Sequence, residues 1–151
     1  RILRELYQAS QAGVEIDLIV RGHTRMRPGL EGFSDNVRIV SIIGRFLEHS
    51  RIYYFHNGGE EDILIGSADW MRRNLDDRVE AVVPVHDPEA RKRLKRTLKF
   101  CLDDNRQAWD LSSDGRYALR WPGDDDVRAF HDTLMSRARR RTEQDDAAWS
   151  F

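Results

Sequence analysis

The sequence predicts an α/β fold, a mixed β-sheet flanked by helices, and three observations carry that prediction. A helical pattern ending at Gly13 runs straight into a β-rich stretch, Val14 to Val20. Further runs rich in Val, Ile and aromatic residues recur at 37–43, 51–56, 63–65 and 78–85. Asp87-Pro88-Glu89 then opens a second long amphipathic helix. A chain of 151 residues fits one compact unit, burying about two thirds of its unfolded surface.

Ile2, Leu3, Leu6, Tyr7 and Ala9 share one helical face, and Gly13 stands where a left-handed cap ends the helix. Because the chain opens inside an element, a fragment is expected. Val14 to Val20 reads as a strand ended by Arg21-Gly22, so Arg21 sits at a strand's carboxyl end. From His23 to Asn36 the chain holds Pro28, Gly29 and Gly32, carries Arg25 and Arg27, and lacks apolar periodicity. Long loops of this composition are usually functional. Val37 to Ile43 is the second strand, Arg45 to Glu48 a short helical turn, and Arg51 to His56 a third strand. Asn57-Gly58-Gly59 reverses the chain so that Ile63 to Ile65 returns as a hairpin partner.

Trp70 to Leu75 reads as a short helix that Ser67 or Asp69 caps. Arg78 to Val85 is the most hydrophobic strand candidate. Asp at the cap, Pro at the first helical position and Glu in the first turn start a helix at Asp87 that runs to about Asp104. Leu94, Leu98 and Leu102 form its apolar stripe, expected to pack on a single central sheet. Ala108 to Leu111 and Tyr117 to Trp121 flank a small hairpin. A last helix opens at Asp124 to Asp126, buries Val127, Phe130, Leu134 and Ala138, and frays from Arg137 onward.

Charge and composition exclude several function classes. Lys plus Arg number 25 against 26 Asp plus Glu, so polyanion binding needs a local cluster and nucleic acid is not an expected partner. The six cations between Arg91 and Lys99 read as a solvated helix face. A lone cysteine, Cys101, builds neither a disulfide framework nor a cysteine metal site, which fits a reducing cytoplasm. No apolar stretch approaches the length of about 20 residues that spans a bilayer, so no stable membrane insertion is expected. No phosphate-cradling glycine loop with a Lys-Ser or Lys-Thr ending is present. The histidines have no partner at metal-ligand spacing, and no metal site is expected within the chain.

Chemistry concentrates around His49. Arg21 ends one strand, Arg51 follows His49 by two residues, and Arg78 with Glu80 opens another strand. In an α/β sheet such positions can converge at one edge. Guanidinium forks bind phosphate oxygens, and histidine either attacks phosphorus or protonates a leaving oxygen. Pairing of these arginines with surface carboxylates is the plainer alternative.

Several segments then resemble the final domain of polyphosphate kinases of the long, histidine-autophosphorylating type. They are Arg21-Gly22, Arg27-Pro28-Gly29, Ser34-Asp35-Asn36, the run Ser41 to Tyr53, Ser67-Ala68-Asp69-Trp70-Met71, and Arg72 to Glu80. The resemblance covers roughly residues 1–122, with 123–151 read as a C-terminal helix and tail of the same domain. It implies a phospholipase D-like domain, a group in which two related domains each lend a histidine to one phosphoryl-transfer site. His49 is the histidine of this domain, and the attacking histidine belongs to the preceding one. By the resemblance, His49 is catalytic, and Arg21, His49, Arg78 and Glu80 bind ATP or phosphate. Mg²⁺ comes with ATP, its ligands mainly outside this segment.

The same resemblance implies ATP, ADP and inorganic polyphosphate as substrates, the preceding domains of a longer parent as partners, and a homo-oligomeric parent. Its compartment is the cytoplasm, with membrane association of the parent allowed for. Thr24 stands where the family often has cysteine, and Arg51 stands where phospholipase D-like sites usually carry lysine, which turns the reading away from lipid hydrolysis. Two alternatives stay open: a phospholipase D-like phosphodiesterase or nuclease that dimerises to pair two His49 residues, and a noncatalytic module binding polyphosphate or nucleotide.

Overall fold

The computed structural model describes residues 1–149, with side chains through residue 142. In chain order the elements are α1 (Ile2–Gln11), β1 (Ile16–Val20), β2 (Val37–Ile42), β3 (Ile52–Phe55), β4 (Asp62–Gly66), α2 (Arg72–Asp76), β5 (Val82–Pro84), α3 (Pro88–Asp103), β6 (Ala108–Leu111), β7 (Tyr117–Leu119) and α4 (Phe130–Trp149). A 3-10 turn at Asn57–Gly59 joins β3 to β4. Asn57 and Gly58 both take positive φ there, 47° and 63°, a conformation that asparagine and glycine tolerate best.

The strands form two sheets where one was expected. A mixed four-stranded sheet has the order β1-β2-β6-β7, and a separate antiparallel sheet has the order β3-β4-β5. β1 and β2 pair in parallel, Ile16 opposite Val37 through Val20 opposite Ser41. The other edge of β2 is occupied by β6, with Val40 opposite Asp110. That ladder leaves β3 no place beside β2, and β3 pairs instead with β4, Ile52 opposite Ile65. The expected small hairpin is real, with Trp109 opposite Leu119, but it extends the main sheet.

Alternation along β2 sends its side chains to two cores. Val37 and Ile39 join Met26 and Leu111 under Leu3, Leu6 and Tyr7 of α1. Val40 and Ile42 join Cys101, Ala108 and Phe130, with Phe100, Leu102 and Leu134 packed around them from α3 and α4. Period-two alternation in a strand covered by helices on both sides produces this division. Full burial of each such side chain contributes roughly 1.5–3 kcal/mol. Burial also pushes the Cys101 thiol up to about 12, which removes it as a nucleophile at neutral pH.

α3 begins as its sequence dictates: the side chain of Asp87 accepts from the Ala90 amide at 2.7 Å, and Pro88 occupies the first turn. Leu94, Leu98 and Leu102 are all half-buried, and the helix touches β3 and α4. Other expectations shift. Arg45 to Glu48 is irregular, not helical. Neither Ser67 nor Asp69 caps α2, because both side chains are engaged elsewhere. β5 begins only at Val82, and Val79 is fully exposed. α4 begins at Phe130, leaves Val127 exposed, and continues through Arg137 to Arg141 instead of fraying. The acidic side chains after Thr142, and Ser150 and Phe151 entirely, lie outside the described residues.

Candidate functional site

Parallel pairing brings the carboxyl ends of β1 and β2 to one edge of the main sheet, the edge where α/β sheets place their ligands. Arg21 follows β1 directly. The segment after β2 leaves the sheet at Ile43, whose amide bonds to the Gln107 carbonyl at 3.1 Å, and passes Gly44 on its way to Glu48 and His49. Arg21 Nη1 donates to the Glu48 carbonyl at 3.2 Å, so the first strand end holds the segment emerging from the second.

Asp69 ties the group together. Its Oδ2 accepts from Arg21 Nη2 at 3.1 Å, and its Oδ1 accepts from Arg51 Nε at 3.1 Å and Nη2 at 2.9 Å. The remaining arm of Arg51 turns to His49: Nη1 lies 2.6 Å from Nδ1 and 3.3 Å from Nε2, and 2.7 Å from the His49 carbonyl. Arg21, Asp69, Arg51 and His49 thus form one continuous chain of charge-assisted hydrogen bonds. The side chains of Arg51, Asp69 and Arg21 are only 14%, 22% and 28% exposed, which screens them less than fully exposed ion pairs.

Glu80 belongs to a neighbouring knot. It accepts from the Ser67 hydroxyl and from Asn74 Nδ2 at 2.9 Å, while Ser67 Oγ receives the Ala81 amide at 3.0 Å. Hydrogen bonds from Ser67 and Asn74, then the fields of Arg78 and Arg51, hold the Glu80 carboxyl below the usual range. Arg78 itself is exposed, and among the described residues it makes no hydrogen bond or ion pair; it reaches the group through its field on Glu80. Arg21 and His49 are therefore linked through Asp69 and Arg51, while Glu80 forms a separate knot with Ser67 and Asn74.

The segment carrying His49 is braced from below by α4. His131 is buried at 3% exposure, its Nδ1 faces the Phe46 amide at 3.5 Å, and its Nε2 lies 3.9 Å from Glu48 Oε2. Burial pushes the Glu48 carboxyl up, but hydrogen bonds from Ser50 and the field of His131 outweigh it and leave the group below its ordinary value.

Two surface hollows, one lined by Arg38, Asp110 and Arg120 and the other by Tyr7, Gln11 and Phe33, do not include this group. Exposed apolar side chains, Leu47, Trp70, Met71 and Val79, stand close to these residues in sequence. Among the described residues no cluster of three or more His, Cys, Asp or Glu could hold a metal ion. No described helix is long and apolar enough to cross a membrane.

The sequence did not single out Asp69 for the site, and it used Arg51 only as company for His49. The signal was faint: Asp69 is a carboxylate just after a strand, flanked by Ala68 and Trp70, and the acid the sequence suggested for the arginine group was Glu80.

Residues 1–129 match the family model described as polyphosphate kinase C-terminal domain 2. The chain is 63% identical to a polyphosphate kinase of Synechocystis over 122 residues, 81% of this chain and 17% of the relative. It is 55% identical to one of Thermosynechococcus vestitus over 138 residues, 91% of this chain and 19% of the relative. The fold superposes on the crystal structure of polyphosphate kinase from Porphyromonas gingivalis with a TM-score of 0.87 at 38% identity, covering 95% of this chain and 22% of that one. The chain thus spans about a fifth of the length of the relatives it matches.

Proposed function

The chain belongs to the polyphosphate kinase family, and from that premise we propose that it supplies half of a site that reversibly transfers the γ-phosphate of ATP to inorganic polyphosphate. Within a longer parent, a histidine of the preceding domain attacks the γ-phosphorus; a nitrogen–phosphorus bond forms as the bond to the bridging oxygen of ADP breaks. The terminal oxygen of polyphosphate then takes the phosphoryl group and releases that histidine. His49 donates a hydrogen bond or proton to the departing ADP oxygen. Arg21 and Arg78 neutralise oxygens that gain charge in the transition state, and Glu80 holds the arginine cluster against excess positive charge.

The observation that carries this reading is the hydrogen-bonded chain from Arg21 through Asp69 and Arg51 to His49 at the carboxyl edge of two parallel strands. Cationic forks beside an imidazole suit a phosphate whose oxygens change charge during reaction. Among the described residues Arg78 makes no hydrogen bond or ion pair, and it is available to a ligand. The exposed apolar side chains close in sequence to the site residues, Leu47, Trp70, Met71 and Val79, suit coverage by the preceding domain, which would exclude water from the reaction. Mg²⁺ would accompany the nucleotide phosphates, and because Asp69 and Glu80 are already committed to Arg21, Arg51, Ser67 and Asn74, its ligands would lie mainly in other parts of the parent. We read residues 1–122 as the catalytic half-domain, 123–151 as its C-terminal helix and tail, the parent as a homo-oligomer and its compartment as the cytoplasm.

The test is incorporation of labelled phosphate from ATP into polyphosphate. The parent enzyme is expected to be active, this chain alone inactive, and the parent with His49→Ala reduced on the order of 10²- to 10⁴-fold, the range for loss of a general acid. Near-normal turnover in His49→Ala removes the assigned role.

A further inference from the structure

His49 is an exposed side chain on an irregular segment, an environment in which an imidazole ordinarily turns freely about its bonds. Among the described residues its ring has one hydrogen-bonding neighbour, Arg51 Nη1. A guanidinium only donates. In the neutral ring the nearer nitrogen, Nδ1, is then the acceptor, which leaves the ring proton on Nε2. What Arg51 presents to His49 depends in turn on what holds Arg51. Two of its nitrogens, Nε and Nη2, bond to the same oxygen of Asp69, and a planar fork fixed along one side has its third nitrogen aimed.

Asp69 is itself well anchored. Ala68 before it is 4% exposed, and its carbonyl accepts from the Tyr53 hydroxyl at 3.3 Å. Trp70 after it stacks on the Tyr53 ring with centroids 5.6 Å apart and planes within 7°. The other carboxylate oxygen is taken by Arg21, so one negative charge sits between two positive ones that would otherwise repel each other where phosphate is to bind.

We propose that Asp69 is a positioning residue of this site: it clamps Arg21 and Arg51 and, through Arg51, fixes the orientation and tautomer of His49 so that Nε2–H faces the incoming phosphate oxygen. The proposal rests on the reading of His49 as the site histidine, and it concerns a tautomer that can be observed without any turnover. The helper role is separable from direct contact, since Asp69 carries the same sign of charge as the substrate and would not itself approach a phosphate.

Long-range proton–nitrogen correlation spectra of the ¹⁵N-labelled 151-residue chain, recorded at about pH 8 where histidine is ordinarily neutral, report each ring's tautomer. The His49 signals are identified by their loss in His49→Gln. In the unsubstituted chain His49 is expected as the Nε2–H form. In Asp69→Asn it is expected to become a mixture of both forms, with His23, His56, His86 and His131 unmoved. Arg51→Lys, which keeps the charge but removes the fork, is the second variant and is expected to give the same mixture. A pure Nε2–H ring at position 49 in a folded Asp69→Asn or Arg51→Lys chain overturns the proposal, as does a mixture in the unsubstituted chain. If instead the tautomer shifts as expected while His49→Ala leaves polyphosphate synthesis by the parent intact, the clamp stands and the catalytic reading of His49 falls.

Discussion

The amide of Phe130 donates to Asp104 Oδ2 at 2.6 Å, a bond that fastens the first residue of α4 to the end of α3. The same carboxylate uses Oδ1 to accept from the amides of Arg106, Gln107 and Ala108 at 2.8, 2.6 and 2.9 Å. Asp104 is fully buried, so its carboxylate meets these four amides in place of water. One side chain thus closes α3, starts β6 and docks α4, whose His131 lies beneath the segment bearing His49.

Asp104→Asn is expected to destabilise the fold by at least about 3 kcal/mol. An amide keeps one accepting oxygen and turns a donor toward at least one of the four amides; bonds to a charged group are each worth roughly 1.5–3 kcal/mol. For a domain of this size that is a drop in Tm of roughly 6–12 °C. Thermal and urea unfolding measure it, and a loss below about 1 kcal/mol would show that the carboxylate is not the anchor described.

Gly44→Ala tests how tightly α4 braces the site. A Cβ at position 44 would overlap His131 Nδ1 and stand 2.8 Å from the Gln107 side-chain amide. Both neighbours are fixed, His131 by burial and Gln107 by accepting the His131 amide at 3.2 Å. The expected outcome is a loss of about 1–3 kcal/mol, as for other overpacked positions, with displaced backbone resonances from residue 43 to His49. Unchanged resonances across that segment would mean that the contact yields without consequence.

Glu80 gives a pH-dependent signature. Its carboxyl is held below the usual range chiefly by the Ser67 hydroxyl. A carboxyl lowered on folding contributes stability that is fully present above its unfolded value and is lost as pH falls through the lower folded one. Ser67→Ala is therefore expected to raise the Glu80 pKa toward the ordinary glutamate range, which shrinks that contribution and brings its loss to completion at a higher pH. Carbon-13 titration of the carboxyl measures it; an unmoved midpoint would assign the shift to Asn74 and the arginines instead.

Local chemistry made part of this structure legible. The start of α3 was readable because Asp87 and the amide it caps are three residues apart, and the turn at Asn57-Gly58 because backbone sterics select those residues. Partition of the strands into two sheets was not, because it depends on β6 reaching β2 across more than sixty residues. Hydrophobicity misplaced the strand start at Arg78: Val79 is apolar yet fully exposed, and composition alone does not separate a strand from an uncovered apolar stretch. At the site, the gathering of Arg21, Arg51 and His49 followed from strand ends and spacing. The carboxylate between them did not, since nothing local distinguishes Asp69 from a helix cap.

The ladders of the two sheets never meet, yet Arg21 leaves the main sheet, Arg51 leads into the smaller one, and both grip the same carboxylate just beyond β4. That arrangement makes the ionic knot a mechanical seam as well as a chemical one. A change in ionic strength that weakens partly exposed ion pairs acts on this joint. A phosphate drawing on those two guanidiniums would compete with the one carboxylate that joins the sheets.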